Sequence, residues 1–270
     1  MKGITLTRRD TLEATEAATG YEITFPSNDA LGQDEEWCLV RENGTTRKLR
    51  FHDYGEIYEL PGLYEQLFYE HLQCSSPEMV ARLFGRELKR SGVDAGTLSV
   101  LDVGAGNGMV GEQLAEVGAD TIVGVDIIPQ AAAAAERDRP GVYADYLVLD
   151  LTTLDDETRT DLKSRKLNAL TCVAALGFGD IPPAAFAAAY DVLAPGGWLA
   201  FSIKEDFLDE QGGSGFARLI RELADRGMIE IRAQRRYRHR LSASGEPVHY
   251  IALVAAKRGP EPATPLTAQL

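Results

Sequence analysis

The sequence is poor in cysteine and in positive charge, and both shortages limit what the protein can be. Its 270 residues include only Cys38, Cys74 and Cys172, which are too few and too scattered for a disulfide framework. They also lack the C-x-x-C spacing of a zinc site, so we expect no metal and a reducing, cytoplasmic location. With 28 basic against 41 acidic residues, the net charge of −13 would repel a phosphate backbone, which disfavours nucleic acid as a partner.

Long apolar runs are also missing. No stretch approaches the ~18 apolar residues of a membrane-spanning helix, and the first residues lack the apolar centre of a signal peptide. We therefore expect a protein that neither enters a membrane nor is exported. A content of 44% hydrophobic and 26% charged residues is typical of a folded globular protein, and the length suits one large α/β domain with a small appendage.

Short apolar runs alternate with helical stretches from Leu98 onward. The runs are LSVLDV, TIVGVDI, YLVLDL, NALTCVAAL and WLAFSI. This alternation is typical of a parallel sheet covered by helices. Two longer runs, IEIRAQRRY and VHYIALVAA, then flank SASGEP and predict an antiparallel hairpin. The predicted fold class is α/β, with a Rossmann-like, mostly parallel sheet that ends in this hairpin.

The part before Leu98 has a different pattern. Two alternating runs surround Asn43-Gly44 and predict a β-hairpin between Glu36 and Phe51. Apolar residues at helical spacing over residues 61–90 predict two amphipathic helices that meet at Ser76-Pro77, with Ser76 as an N-cap. The residues up to about Leu31 and the last dozen residues have no clear periodicity, so we expect both ends to be loose.

A glycine-rich loop follows the first strand of the parallel set. The loop is Gly104-Ala105-Gly106-Asn107-Gly108. Glycines at alternate positions let the backbone approach a ligand at the N-terminus of the next helix. The dinucleotide fingerprint G-x-G-x-x-G needs a third glycine where Met109 stands, which disfavours a nicotinamide-dependent oxidoreductase.

Carboxylates end the first three strands. Asp126 can accept both hydroxyls of a ribose, and Asp150 can accept the exocyclic amine of adenine. Either could instead cap a turn, Asp126 before a helix and Asp150 at Thr152. Asp102 could hold the loop amides or, through water, an amino group of the ligand, or be purely structural. The set indicates an adenosine-type ligand.

The segments LDVGAGNG, GVDI, VLDL and LAPGGWLAFS resemble the successive motifs of class I S-adenosylmethionine (SAM)-dependent methyltransferases, over roughly Leu98 to Lys257. The resemblance implies a seven-stranded sheet, SAM as cofactor and S-adenosylhomocysteine as product. It implies that the glycine loop lies along the amino-acid end of SAM. The other cofactor contacts that it implies are Asp102, Asp126, Ile127, Asp150, Leu151, Ala175, Leu176 and Gly177.

A polar and aromatic cluster precedes the predicted helices and consists of His52, Asp53, Tyr54 and Tyr58. It could close over the sulfonium and orient a nucleophile, or form only a capping turn. His52, Asp53 or Glu205 could remove a proton from an oxygen or nitrogen nucleophile.

Aromatic residues also lie within the predicted helices. Tyr64 and Tyr69 are candidates for the substrate pocket, and PGLYEQLFY resembles the cap of small-molecule methyltransferases, including the Williams-Beuren-region type. The basic run RRYRHR, residues 235–240, could grip an anionic substrate, but we favour protection of an edge strand.

The sequence therefore predicts a cytoplasmic SAM-dependent methyltransferase that acts on a small-molecule acceptor by in-line displacement, as a monomer or homodimer. We expect an N-terminal cap over residues 1–95, a catalytic core over 96–258 and a flexible tail over 259–270. Motifs of the N-P-P-Y type are absent, which disfavours methylation of DNA bases. A peptide or protein methyltransferase and a non-catalytic SAM-binding regulatory subunit stay open as alternatives, and the methylated atom is undetermined.

Overall fold

The computed structural model describes residues 20–26, 31–176, 180–208 and 215–267. Three strands in the first part form a small antiparallel sheet, in the order β1-β2-β3. They are Glu22–Thr24 (β1), Trp37–Glu42 (β2) and Thr45–Arg50 (β3). The last two form the predicted hairpin around Asn43-Gly44, where both residues have positive φ.

The main sheet has seven strands. They are Ser99–Val103 (β4), Thr121–Asp126 (β5), Asp145–Val148 (β6), Ala169–Leu176 (β7), Trp198–Lys204 (β8), Ile229–Leu241 (β9) and Pro247–Lys257 (β10). Their order is β6-β5-β4-β7-β8-β10-β9. The first five strands are parallel, and β10 pairs antiparallel with both β8 and β9. This arrangement confirms the predicted Rossmann-like sheet with its terminal hairpin.

Helices cover both faces of this sheet and support the small sheet. The α-helices are Tyr54–Glu59 (α1), Ser76–Arg90 (α2), Met109–Val117 (α3), Pro129–Asp138 (α4), Asp156–Ser164 (α5), Pro183–Val192 (α6), Phe216–Asp225 (α7) and Thr264–Thr267 (α8). Residues Glu65–His71 form a π-helix. None of the helices in the described ranges has both the length and the apolar character needed to cross a bilayer.

Helix α2 belongs to the core of the main sheet, although we expected it in the cap. Its Val80, Phe84 and Leu88 are buried in one cluster with Val100 of β4 and Trp198 of β8. The N-cap of α2 is Ser75, so the prediction for Ser76 was wrong by one position. The difference arises because the Ser76 hydroxyl is buried in the helix and bonded to residues of β9.

The ends of the chain are more ordered than expected where the structure describes them. Strand β1 pairs with β2 through Glu22 and Arg41, within the stretch expected to be loose. In the expected tail, Ala263 is fully buried, and its amide and that of Thr264 both donate to the Asp191 carboxylate of α6. The expectations for residues 1–19, 27–30 and 268–270 lie outside the described residues.

Candidate functional site

A cavity of about 510 Å³ lies between the small sheet with its helices and the carboxyl ends of the main strands. This volume is within the usual range for small-molecule sites, which is roughly 300–1,000 Å³. The core side of the wall consists of Val103 to Asn107, Asp126 to Ile128, Leu149 to Thr152, Val173 to Leu176 and Asp180 to Pro182. The opposite side consists of aromatic and polar residues from the N-terminal part and from the β9–β10 hairpin.

The glycine loop has little room for side chains. Gly104 and Gly106 have φ values of 70° and 55°, which favour glycine. A Cβ on Gly104 would lie 2.7 Å from Ile181 Cδ1, and one on Gly106 would lie 2.5 Å from the Tyr58 hydroxyl oxygen. A hydrogen bond also holds the loop in place, since the Gly106 carbonyl accepts from the Tyr146 hydroxyl at 2.7 Å. The sequence motif therefore forms a fixed backbone surface on the cavity wall.

Asp102 does not line this cavity. Its side chain is buried and accepts hydrogen bonds from Tyr143 Oη at 2.8 Å and Thr171 Oγ1 at 2.7 Å. Burial raises the pKa of this carboxyl from 3.8 to about 6. Both carboxylate oxygens therefore face supporting side chains behind the loop, which is the structural role that the sequence had left open for Asp102.

Asp126 lies at the end of β5, on the cavity wall. Its carboxylate accepts hydrogen bonds from the amides of Gly106 and Ile128, both at 3.0 Å. Burial raises its pKa, and the amide hydrogen bonds partly offset this effect. A carboxylate has about four lone-pair directions, so these amide hydrogen bonds leave room for contact with a diol. Ile127 also lines the cavity and is 59% exposed, which is unusual for a large apolar side chain.

Asp150 and Leu151 lie further along the same wall, after β6. The Asp150 side chain accepts from the amide and the hydroxyl of Thr152, at 2.8 and 2.6 Å. This is the turn-capping role that the sequence allowed as an alternative, and these hydrogen bonds lower the pKa of the carboxyl. The carboxylate still borders the cavity, so the capping does not exclude a ligand contact.

Strand β7 separates from β8 near its end and opens the floor of the cavity. The pairing of the two strands is irregular between Cys172 and Leu176, and Ala174 has a positive φ of 57°. Ala175 and Leu176 line the cavity as expected. Gly177 lies outside the described residues.

Aromatic rings form most of the opposite wall. His52, Tyr54 and Tyr58 line the cavity, as do Tyr64 and Tyr69 of the predicted helices. The rings of Tyr58 and Tyr64 lie 5.1 Å apart, and those of Tyr54 and Tyr58 are stacked at 6.1 Å. Burial raises the pKa of Tyr54, Tyr58, Tyr64 and Tyr69 above its ordinary value, so these phenols are neutral. The sequence had identified this wall by residue type alone.

His52 is joined to the core side of the cavity. Its Nδ1 lies 3.0 Å from a carboxylate oxygen of Asp180, and both residues line the cavity. Their side chains are 17% and 32% exposed. Asp180 is a site residue that the sequence analysis missed, although its position just after the fourth parallel strand was a usable signal.

Two other candidates for a base lie elsewhere. The Asp53 carboxylate accepts from the Arg50 amide at 2.9 Å, in the turn before α1, and does not line the cavity. Glu205 is bonded to Arg236 of β9 and borders a separate depression. In the structure Asp53 therefore caps a turn and Glu205 pairs with Arg236, and neither side chain is among those that line the cavity.

The β9–β10 hairpin supplies a wall that the sequence analysis did not foresee. His239, Arg240 and Tyr250 line the cavity. Strand β9 is an edge strand, as the basic run suggested, but Arg240 is buried and donates to Glu36 at 2.5 Å. The sequence showed only that this run is basic. It could not show that His239 and Arg240 are buried, because their burial depends on the small sheet that covers them.

His239 is held as a neutral imidazole. Its Nδ1 lies 2.7 Å from the Ser76 hydroxyl, and its ring lies 4.1 Å from that of Tyr250. Burial and the neighbouring Arg240 hold its pKa well below the usual value. Nearby, the buried Oε1 of Gln33 has no hydrogen-bond partner, whereas its Nε2 donates to Tyr250 Oη. This end of the cavity therefore has a free acceptor atom.

Within the described residues, no group of three or more histidine, cysteine, aspartate or glutamate side chains is arranged to hold a metal ion.

Comparisons with known proteins agree with this architecture. Residues 101–201 match the family described as "Methyltransferase domain". A ubiquinone biosynthesis O-methyltransferase of Thiobacillus denitrificans is 32% identical over 103 residues, which cover 38% of this chain and 43% of that protein. The corresponding protein of Pseudomonas entomophila is 31% identical over 105 residues, with the same coverage. The match thus spans less than half the length of these relatives.

Solved structures show the same fold at low sequence identity. An S-adenosylmethionine-dependent methyltransferase from Clostridium acetobutylicum has a TM-score of 0.50 and 12% identity, covering 73% of this chain and 97% of its own. A putative RNA methyltransferase from Pyrococcus horikoshii has a TM-score of 0.50 and 10% identity, covering 68% and 83%. Residues 101–201, at the centre of the main sheet, thus match a methyltransferase domain in sequence, and the chain has the fold of the methyltransferase structures named above.

Proposed function

We propose that this protein transfers a methyl group from SAM to a small-molecule acceptor bound between the cap and the core. The observation that carries this proposal is the cavity of about 510 Å³, bordered on one side by the glycine loop and Asp126 and on the other by neutral aromatic side chains. The relatives named above are O-methyltransferases by name, which supports an oxygen atom as the acceptor.

The residues present fit SAM. The backbone of Gly104 and Gly106 leaves no room for a side chain but borders the cavity, as a close backbone contact with a ligand requires. The free lone pairs of Asp126 can accept from the ribose hydroxyls, while the exposed Ile127 and Leu151 can lie against adenine. When bound, SAM would supply the activated methyl group.

The chain's own residues then have simple tasks. Displacement at a methyl group needs alignment of donor and acceptor and exclusion of water. The glycine loop and Asp126 fix the cofactor side, and the rings of Tyr54, Tyr58 and Tyr64 close the opposite side. A cavity bordered on two sides in this way fits a small acceptor better than a protein side chain on a large partner, so we favour the small-molecule alternative.

The first experiment is calorimetric titration of the purified protein with SAM, S-adenosylhomocysteine and NADH. We expect both adenosyl ligands to bind and NADH not to bind. Asp126→Ala removes a charge-assisted contact worth about 1.5–3 kcal/mol, so it should weaken binding of both ligands by roughly 10- to 100-fold.

Asp120→Ala is the matched control, since Asp120 is a carboxylate just before the opposite end of the same strand and does not line the cavity. It should bind both ligands like the wild type. Binding of NADH alone, or equal losses in the two variants, would refute the proposed cofactor site.

A further inference from the structure

We propose that the acceptor is a neutral aromatic hydroxyl compound and that His52, positioned by Asp180, removes the proton of its hydroxyl group. This inference rests on the proposed function and adds the substrate class and the base. Its carrying observation is the His52–Asp180 contact, which joins the cap to the core at the cavity wall.

The His52–Asp180 pair has a defined place on the cavity wall. Asp180 directly precedes Ile181, whose side chain lies against Gly104, since a Cβ on that glycine would be 2.7 Å from Ile181 Cδ1. The pair therefore lies beside the glycine loop, where the amino-acid end of the cofactor is expected. An acceptor atom that meets the methyl group near this loop lies within reach of the imidazole.

The other titratable groups on the cavity wall are less suited to act as a base. The tyrosines of the wall have pKa values raised by burial and are protonated. His239 is buried beside Arg240, and both effects hold the pKa of its imidazole well below the usual value, which makes it a poor base. Asp126 is engaged by two backbone amides, and Asp150 lies in its own turn on the adenine side. Among the described lining residues, His52 is the remaining candidate with a carboxylate to orient it.

The residues that line the cavity also indicate the class of acceptor. Aromatic side chains from α1, the π-helix and β10 border the cavity, which favours a flat, apolar ring. Among the described lining residues, Arg240 is the sole lysine or arginine, and its guanidinium is already paired with the buried Glu36. A carboxylate or phosphate on the acceptor would find no such free cation. A neutral phenol satisfies both conditions.

The chemical step balances without a further reactant. The O–H proton of the acceptor passes to the imidazole of His52, and an oxygen lone pair forms the new bond to the methyl carbon. The bond between this carbon and sulfur breaks, and its electron pair stays on sulfur, which becomes a neutral thioether. Asp180, whose carboxylate oxygen lies 3.0 Å from Nδ1 of His52, orients the ring and stabilises the imidazolium that forms.

The test uses 4-nitrophenol, because its ionised form absorbs at longer wavelength than its neutral form. The probe is titrated into the full protein saturated with S-adenosylhomocysteine, so the measurement does not require turnover. Absorbance as a function of pH gives the pKa of the bound probe. The imidazolium should lower this pKa in the wild type by at least about one unit relative to free 4-nitrophenol, since an opposite charge favours the ionised form.

The variants separate the role of His52 from a structural one. His52→Gln should bind the probe within about threefold of the wild type but lose the lowered pKa. Asp180→Asn should give an intermediate value, because the imidazole loses the carboxylate that holds it. His71→Gln is the matched control, since His71 is exposed and does not line the cavity. Other charged groups near this end, Asp126 and the Glu36–Arg240 pair, are the same in all variants.

Each outcome decides the matter. A lowered pKa that disappears in His52→Gln and persists in His71→Gln supports the proposal. Binding of the probe with an unchanged pKa in the wild type, or a lowered pKa that survives His52→Gln, overturns the assignment of the base. Failure of 4-nitrophenol to bind overturns the acceptor class, whereas failure of S-adenosylhomocysteine to bind overturns the proposed function itself.

Discussion

Asp102 lies behind the glycine loop, where it accepts hydrogen bonds from Tyr143 and Thr171, and its burial makes the stability of the protein depend on pH. Because its pKa is about 6 in the folded protein and 3.8 as the ordinary value, the folded state binds more protons between these pH values. The stability that this group contributes is therefore fully present below pH 3.8 and is lost as the pH rises through 6. A shift of this size corresponds to about 3 kcal/mol.

Asp102→Asn should remove this dependence. The free energy of unfolding of the wild type, minus that of the variant, should become more negative by about 1–3 kcal/mol between pH 4.5 and 7. Urea denaturation at several pH values measures the difference, in which the titration of other carboxylates cancels. A flat difference curve would show that Asp102 has its ordinary pKa in the folded protein. Binding of S-adenosylhomocysteine should change little, because Asp102 lies outside the cavity wall.

At the same scale, the sequence identified the core side of the cavity better than the opposite side. Asp126 follows a buried strand in a repeated strand and helix pattern, so its place at the sheet edge could be predicted from its position alone. His239 and Gln33 reach the cavity through contacts between distant segments, which no local pattern encodes. Asp180 could have been found, because it follows the fourth parallel strand.

At the scale of elements, the buried Glu36–Arg240 pair connects the small sheet to the edge strand β9. The two side chains are 2% and 4% exposed, and the other oxygen of Glu36 accepts from the Ala243 amide. Loss of one partner leaves a buried charge without compensation, which typically costs about 3–5 kcal/mol. The pair thus fixes how the cap sits on the hairpin.

Arg240→Met should therefore lower the free energy of unfolding by about 3–5 kcal/mol, and Glu36→Gln should also be strongly destabilising. The double variant should be less destabilised than the sum of the two single variants, because neither charge remains unpaired. Denaturant titrations of the four proteins give this comparison. Additive effects would show that the two residues do not depend on each other. Arg235→Met, at an exposed position of the same strand, is the control.

At the scale of the whole molecule, the burial of α2 moves the boundary between cap and core. We propose that the core begins near Ser75, and not at residue 96 as the sequence suggested. Val80, Leu83, Phe84 and Leu88 are buried against the main sheet. At about 1.5–3 kcal/mol for each side chain, their burial is comparable with the whole stability of a typical domain.

A fragment of residues 75–267 should thus unfold cooperatively on heating, whereas a fragment of residues 96–267 should not. The second fragment lacks the helix that covers one face of the sheet. Circular dichroism and calorimetry of the two fragments make the comparison. Equal cooperativity and equal melting temperatures would restore the boundary at residue 96.

Sequence patterns predicted the main sheet well, because each strand there is a local apolar run and each crossover contains a local helix. Sequence patterns predicted the structure of the first 95 residues less well. Strand β1 has only three residues, and it exists because β2 offers its edge. For a related reason the pattern could not decide whether α2 belongs to the cap or to the core, since an amphipathic pattern shows that one face is buried but not which partner covers it.

The contact between the small N-terminal sheet and strand β9 has a consequence for the newly made chain. Glu36 and Arg240 are 204 residues apart, and contacts over such separations form late in folding. A chain emerging from the ribosome contains the aromatic residues of the cap long before the hairpin that completes their surroundings. We expect this exposed aromatic surface to be the segment that chaperones engage first, and the completed aromatic wall of the cavity to be the last feature that the folding chain acquires.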